Sequence, residues 1–458
     1  MSLKNGIVPD QLHKKESKSN FTNYRPISIL PDFSKILERL VFNRCISFLN
    51  KYNILFENQF GFRPKHSTSM AIIKLVDKIV NAANNNEITA GIFLDLSKAF
   101  DTIQHDILLD KMANYGLRGI VLDWFKSYLT NRKQFVEYNN HKSTVKLINS
   151  GMPQGSILGP LGFIIYVNDL PNSVPDLSLI LFADDTSAFT SHHDLSTLNI
   201  IMNNGLDKLN TWFRSNKLSL NLKKTNYMLL GTRNKTNQFK DKFNLSINDT
   251  ELDEVNAFKF LGVTVDQNLT WKNHIDELAK KCSSRIGILY KVRQFLPESA
   301  LLSLYYTLFL SHINYGITAW SSAGSVDKNR LHVLQKRALR AVSNSGYRSH
   351  SNPLFIKYDQ LKIADLCNLN IGTFMYKLCN GLLPPSFNNM FKTNSENHEY
   401  NTRNALNFEY PNTKLNFCDT SICYQGVKTW NNIPNHIKRS KTVKSFNATY
   451  KKLIISDY

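Results

Sequence analysis

Two kinds of hydrophobic patterning alternate along the chain. The first is the short apolar run that ends on a carboxylate. Residues 177–183 are apolar except for Ser178, Asp184 and Asp185 follow side by side, and 186–189 turn apolar again. Short apolar runs bounded by turn residues predict buried strands, so this stretch predicts a hairpin with both aspartates at its tip. Residues 90–94 form a second such run, ending on Asp95 and followed by a turn at 97–101. Further strands are expected at 134–138 and 145–148, a hairpin around Asn139 and Asn140, and at 218–221 and 227–231. Residues 258–263 read as a hairpin with a glycine bend at Gly262.

The second kind repeats every three or four positions and predicts helices. Residues 33–49 place Ile36, Leu37, Leu40, Val41, Cys45 and Leu49 on one face. Ser67 or Thr68 can cap a helix whose buried stripe is Ile72, Val76, Ile79 and Ala83, and three asparagines at 84–86 end it. Further helices are expected from about Asp106 to Gly116, over 117–129, 158–170 and from Leu195 to Phe213. Beyond Trp271 the pattern is helical: Ile275, Leu278, Cys282, Ile286 and Leu289 share a face, and 301–310 and 331–342 follow. Residues 231–241 read as a polar, basic surface loop. No repeat of 20 to 50 residues is visible.

At 458 residues the chain is expected to divide into two to four units. The net charge of +20 suits a polyanionic partner, nucleic acid first. No apolar run is long enough to cross a membrane, and the first 20 residues lack a secretory core. The six cysteines are scattered without a CxxC, which predicts reduced thiols in an intracellular protein.

Asp95, Asp184 and Asp185 all end apolar strands. If the strands are neighbours, the three meet at one sheet edge, where like charges repel unless a cation sits between them. All-oxygen ligands suit Mg²⁺, and two such ions about 4 Å apart promote in-line displacement at phosphorus. The plainer alternatives are an Asx-rich turn at 184–185 and a turn-capping role for Asp95.

Seven blocks around these positions resemble the ordered motifs of a non-LTR, LINE-type retrotransposon reverse transcriptase, with the Jockey-like branch the nearest likeness. They are NYRPIS at 23–28, GFRP at 61–64, LDLSKAFD at 94–101, GMPQGSILGP at 151–160, FADD at 182–185, NLKKT at 221–225 and FLGV at 260–263. NTR at 401–403 and WNNIP at 430–434 resemble the downstream part of such elements more loosely.

The resemblance implies an α+β right-hand polymerase: partial fingers at 1–88, a palm at 89–235 with an insertion near 102–150, a primer-grip hairpin at 236–270, a helical thumb at 271–345 and an extension at 346–458 without a role. It implies RNA-directed DNA synthesis from a primer 3′-OH, with an RNA template, a DNA primer, dNTPs and two Mg²⁺ ions for which Mn²⁺ can substitute. Asp95, Asp184, Asp185 and the Leu96 carbonyl become the metal ligands. Phe100 sits under the sugar of the incoming nucleotide, where its ring excludes a ribose 2′-OH. Gln154, Gly151 and Gly155 line the nucleotide pocket, and Arg25 pairs with the triphosphate. Lys224, with Lys223 beside it, is the general acid for pyrophosphate. Arg63 supports its loop or touches template. Phe260, Leu261 and Gly262 hold the primer end, and the basic helices beyond Trp271 track the duplex. Family members carry an endonuclease ahead of the polymerase, so one is expected outside this chain, which then reads as a truncated copy working in the nucleus and cytoplasm. The rival expectation is a catalytically inactive nucleic-acid-binding remnant.

Overall fold

A strand buried along its whole length, β1 (Ile88–Leu94), runs through the middle of the molecule. Its residues alternate between two hydrophobic cores, as a period of two requires. Ile88, Ala90, Ile92 and Leu94 enter one core and Phe93 the other. The computed structural model describes residues 28–138, 141–239, 242–394 and 407–458. Arg25, most of the NYRPIS block and the NTR stretch lie outside the described residues.

Strands β2 (Ser178–Phe182), β3 (Asp185–His192), β4 (Asn226–Leu230) and β5 (Asp253–Glu254) complete a five-stranded sheet of order β5-β4-β1-β3-β2. All neighbours are antiparallel except β5 and β4. One face is covered by the C-terminal half of α1 (Asp32–Lys51), by α3 (His105–Asn114) and α5 (Leu158–Tyr166), and by the apolar stripe of α6 (Leu195–Ser215); α4 (Ile120–Leu129) packs on α3. The other face is covered by α2 (Thr68–Asn84), capped by Ser67, whose Oγ accepts from the Met70 amide.

Downstream, β6 (Ala257–Phe260) and β7 (Val263–Asp266) form a hairpin. Then come α7 (Lys272–Val292), α8 (Ser325–Val342), α9 (Ile363–Cys379), α10 (Ile422–Asn432) and α11 (Val443–Ile455). Their apolar faces merge with the underside of α2 into one continuous core. No helix among the described residues is long and apolar enough to cross a membrane.

Two expectations are corrected. In α1, Cys45 and Leu49 are buried as expected, but Ile36, Leu37 and Leu40 are exposed and Glu38 is buried instead. Among the described residues, the apolar contacts of this helix run from Val41 to Leu49. The expected loop at 231–241 contains a helix, Arg233–Phe239. It is held by tertiary contact, Asn268 Nδ2 donating to Thr236 Oγ1 at 3.1 Å. All six thiols are free.

Candidate active site at the sheet edge

The hairpin β2–β3 closes through two residues, since Phe182 pairs with Asp185 and leaves Ala183 and Asp184 as the turn. Ala183 has φ +56°, the left-handed region that tight hairpins require and that usually falls to glycine or asparagine. β1 pairs with β3 in a register that ends on Leu94 opposite Thr186. Asp95 and Asp185 each lie one residue beyond this last pair, at the same end of the two strands. Two distant segments thus deliver their carboxylates to one edge.

Asp95 is held from the other side by Asn221. Its Oδ2 accepts from Asn221 Nδ2 at 3.0 Å, and its carbonyl accepts from the Asn221 amide at 2.8 Å. Together with the Ser97 amide donating to Ser219 at 2.9 Å, these bonds flank a bridge between Leu96 and Leu220. Carbonyls alternate in direction along an antiparallel strand, so the Leu96 carbonyl turns away from Leu220, toward the side of Asp185. The oxygens expected to bind metal, three carboxylates and a carbonyl, are hard donors of the kind Mg²⁺ takes. Among the described residues no three acidic, histidine or cysteine side chains converge on a single point. The expected meeting of Asp95, Asp184 and Asp185 at one point is therefore not seen among the described residues.

Beside this edge, the loop at 151–157 is tied to the turn that follows Asp95. The Met152 amide donates to Phe100 O at 2.9 Å, the Gly151 amide to Ile103 O at 2.7 Å, and Gln154 Nε2 to Asp101 Oδ1 at 2.8 Å. Gly151 has φ +86°, and a Cβ there would stand 2.8 Å from Asp101 O, so only glycine fits. Gly155 is exposed. Phe100 is half-buried, stacked on Phe163 (4.7 Å between centroids) and edge-on to Phe62 (6.2 Å). The far end of the loop rests on Glu38, which is 1% exposed. Its carboxylate accepts from the Ile157 amide at 2.7 Å and from the Tyr128 hydroxyl at 2.8 Å. Burial, with the Glu38 charge beside it, pushes the Tyr128 phenol up to about 12.

The remaining expected residues divide. Lys224 and Lys223 are exposed, in the short turn (Leu222–Lys224) that follows Asn221. Arg63 is half-buried and donates to Phe56 O at 2.7 Å, and burial lowers its pKa. Phe260 is 3% exposed and packed near Phe93 with 6.0 Å between centroids, so its ring is core. Gly262 and Lys259 of that hairpin are exposed, and Tyr315 Oη donates to Leu261 O at 2.6 Å.

Sequence reasoning assigned no role to Asn221, Asp101, Gln59 or Glu38. Asn221 and Asp101 stood inside quoted blocks and Gln59 just ahead of one. Glu38 sat among apolar neighbours on a periodic stretch with nothing to mark its burial.

Comparison with known proteins bears on this arrangement. The family model "Reverse transcriptase (RNA-dependent DNA polymerase)" matches residues 12–265. The "RNA-directed DNA polymerase from mobile element jockey" of Drosophila melanogaster is 28% identical over 345 residues, covering 73% of this chain and 37% of that protein. The "Probable RNA-directed DNA polymerase from transposon X-element" of the same species is 27% identical over 428 residues, covering 90% of this chain and 44% of that protein. The chain spans roughly two fifths of the length of these relatives. Among solved structures, apo telomerase from Candida tropicalis aligns with a TM-score of 0.41 at 13% identity, covering 73% of this chain and 54% of that chain.

Proposed function

The chain belongs to the reverse transcriptase (RNA-dependent DNA polymerase) family, and from that premise we propose that it adds deoxynucleotides to a DNA primer 3′-OH on an RNA template, as part of a non-LTR retrotransposon. The observation that supports the reading is the register of β1 on β3, whose last pair, Leu94 with Thr186, leaves Asp95 and Asp185 as the next residues at that end of the sheet.

In this reading Asp95, Asp184, Asp185 and the Leu96 carbonyl hold Mg²⁺. A metal held by these residues would supply Lewis-acid activation of the attacking 3′-OH and charge neutralisation at the leaving pyrophosphate. Phe100, its ring wedged between Phe163 and Phe62, lies beneath the incoming sugar and leaves no space for a 2′-OH. The 151–157 loop holds the nucleotide, Arg25 takes its triphosphate, and Lys224 protonates the departing pyrophosphate. The Leu261–Gly262 turn holds the primer end, and the basic faces of α7 and α8 follow the duplex through its phosphates.

Purified full chain with poly(rA)·oligo(dT), dTTP and Mg²⁺ tests this. Wild type extends the primer, and Asp184→Ala loses about 10³-fold in rate, the equivalent of several kcal/mol of transition-state charge stabilisation. Equal failure of both proteins overturns the catalytic reading. Salt-sensitive RNA binding without extension then identifies a binding remnant.

A further inference from the structure

We infer that Gln59 is a positioning residue that locks the turn carrying Asp184. The inference rests on reading Asp184 and Asp185 as the catalytic pair. Residues 58–60 run alongside β2: the Phe60 amide donates to Leu181 O at 2.7 Å, and the Leu181 amide donates to Asn58 O at 3.0 Å. Gln59 bridges in parallel to Leu181 and is 2% exposed. Its Oε1 accepts two backbone donors, Gly61 N at 2.8 Å and Ala183 N at 3.1 Å. Two N–H groups aimed at one atom require that atom to be the oxygen, so the orientation of the carboxamide is fixed by chemistry. That orientation leaves Nε2 buried without a partner among the described residues. An unpaired buried donor is costly, and what the orientation secures is the Ala183 amide.

Ala183 is the residue at φ +56° immediately ahead of Asp184. Non-glycine residues leave this conformation unless their surroundings hold them in it, and such strain clusters at functional sites. Gly61 closes the turn from the same side. A Cβ there would lie 2.3 Å from Ala183 N and 2.9 Å from Phe182 C, so the Gly61 backbone rests directly on the hairpin tip. Gln59 and Gly61 together form a seat for the turn, built from a segment 124 residues away in sequence. Displacing the turn moves Asp184 relative to Asp95, which is anchored separately through Asn221.

Two variants test the seat from opposite sides. Gln59→Met keeps the length and removes the acceptor; Gly61→Ala drives a methyl group into the turn. Hydrogen exchange followed by mass spectrometry over residues 178–186 reads the seat directly and requires no activity. Both variants lose protection at the Ala183 amide while peptides from α6 and α8 keep theirs. In primer extension both lower kcat by about 10- to 100-fold, the cost typical of removing a group that orients a metal ligand, with KM for dTTP within about threefold of wild type. Unchanged protection at Ala183 in Gln59→Met overturns the inference whether or not the chain polymerises. So does wild-type kcat in Gln59→Met when Asp184→Ala is inactive. If wild type and Asp184→Ala are equally inactive, the catalytic reading has failed, and the exchange result still decides whether Gln59 seats the turn.

Discussion

Phe100 is the residue whose surroundings most narrow its role. An ordinary core aromatic would be enclosed on all sides; this ring is covered on two and half-exposed beside the loop at 151–157. A bulky ring fixed in that way discriminates by shape. Phe100→Ala is expected to raise the efficiency of ribonucleotide incorporation relative to deoxynucleotide by about 10- to 100-fold, the range set by gain or loss of a steric contact. The ratio of kcat/KM for UTP and dTTP on poly(rA)·oligo(dT) measures it, and an unchanged ratio removes Phe100 from the sugar site. At this scale the acidic residues were legible in the sequence because two carboxylates ending an apolar run are conspicuous. Their supports were not. Asn221 and Gln59 are ordinary polar letters until a partner more than a hundred residues away comes within 3.1 Å.

Among the elements, the hairpin β6–β7 joins the sheet to α7, and His274 lies beneath it, 7% exposed. The Thr264 amide points at its Nδ1 at a long 3.4 Å, and its Nε2 is buried with no partner among the described residues. Burial is the main cause that lowers its pKa from 6.5 to about 4; Lys281 and Lys259 add to the shift and Glu277 opposes it. The unfolded chain therefore takes up the proton first. Stability is fully present above about pH 6.5 and is lost as pH falls toward 4, by on the order of 3 kcal/mol in total. Urea unfolding of wild type between pH 7 and 4.5 should show this slope, and His274→Gln should flatten it whatever its own stability at pH 7. Equal slopes exclude His274 as the cause. The elements themselves were largely readable: α6 and α7 bury the apolar stripe the pattern predicts, and α2 buries its stripe and most of its other faces because it is packed on both sides. α1 departs from its stripe because the buried contact of its first half is polar, Glu38 with Ile157 and Tyr128.

Across the whole molecule, residues 346–458 join the upstream helices in one core. α9 packs on α8, α10 packs on α2, and one edge of α2 carries polar ties to this region. Lys74 Nζ donates to Ser386 O at 2.7 Å, Cys423 Sγ to Asp77 Oδ1 at 3.1 Å, and Asn84 exchanges bonds with Asn412 O and the Lys414 amide. Burial raises the pKa of Asp77 and of the Cys423 thiol. Removing the region would expose the apolar sides of α2 and α8 together. A chain ended at residue 345 is therefore expected to lose the cooperative melting of the full chain in calorimetry, and a fragment melting at the full chain's temperature contradicts the shared core. Asn-rich, aromatic sequence with no recognised chemistry offered no hint of this, because the contacts run between helices more than 300 residues apart.

What the sequence alone determined was local and ordered: which runs are strands, which stripes are helix faces, which carboxylates end apolar runs, and the succession of blocks that marks the family. These follow from periodicity and burial within a few residues, which a linear pattern records. Only the tertiary structure decided that β1 pairs with β3 so that Asp95 and Asp185 follow its last pair, that Asn221 bonds Asp95 and Gln59 bonds the Ala183 amide, that Phe260 is core and that the C-terminal helices close on α2. Each of these is a pairing between distant segments, and strand register and side-chain reach are set when the segments pack.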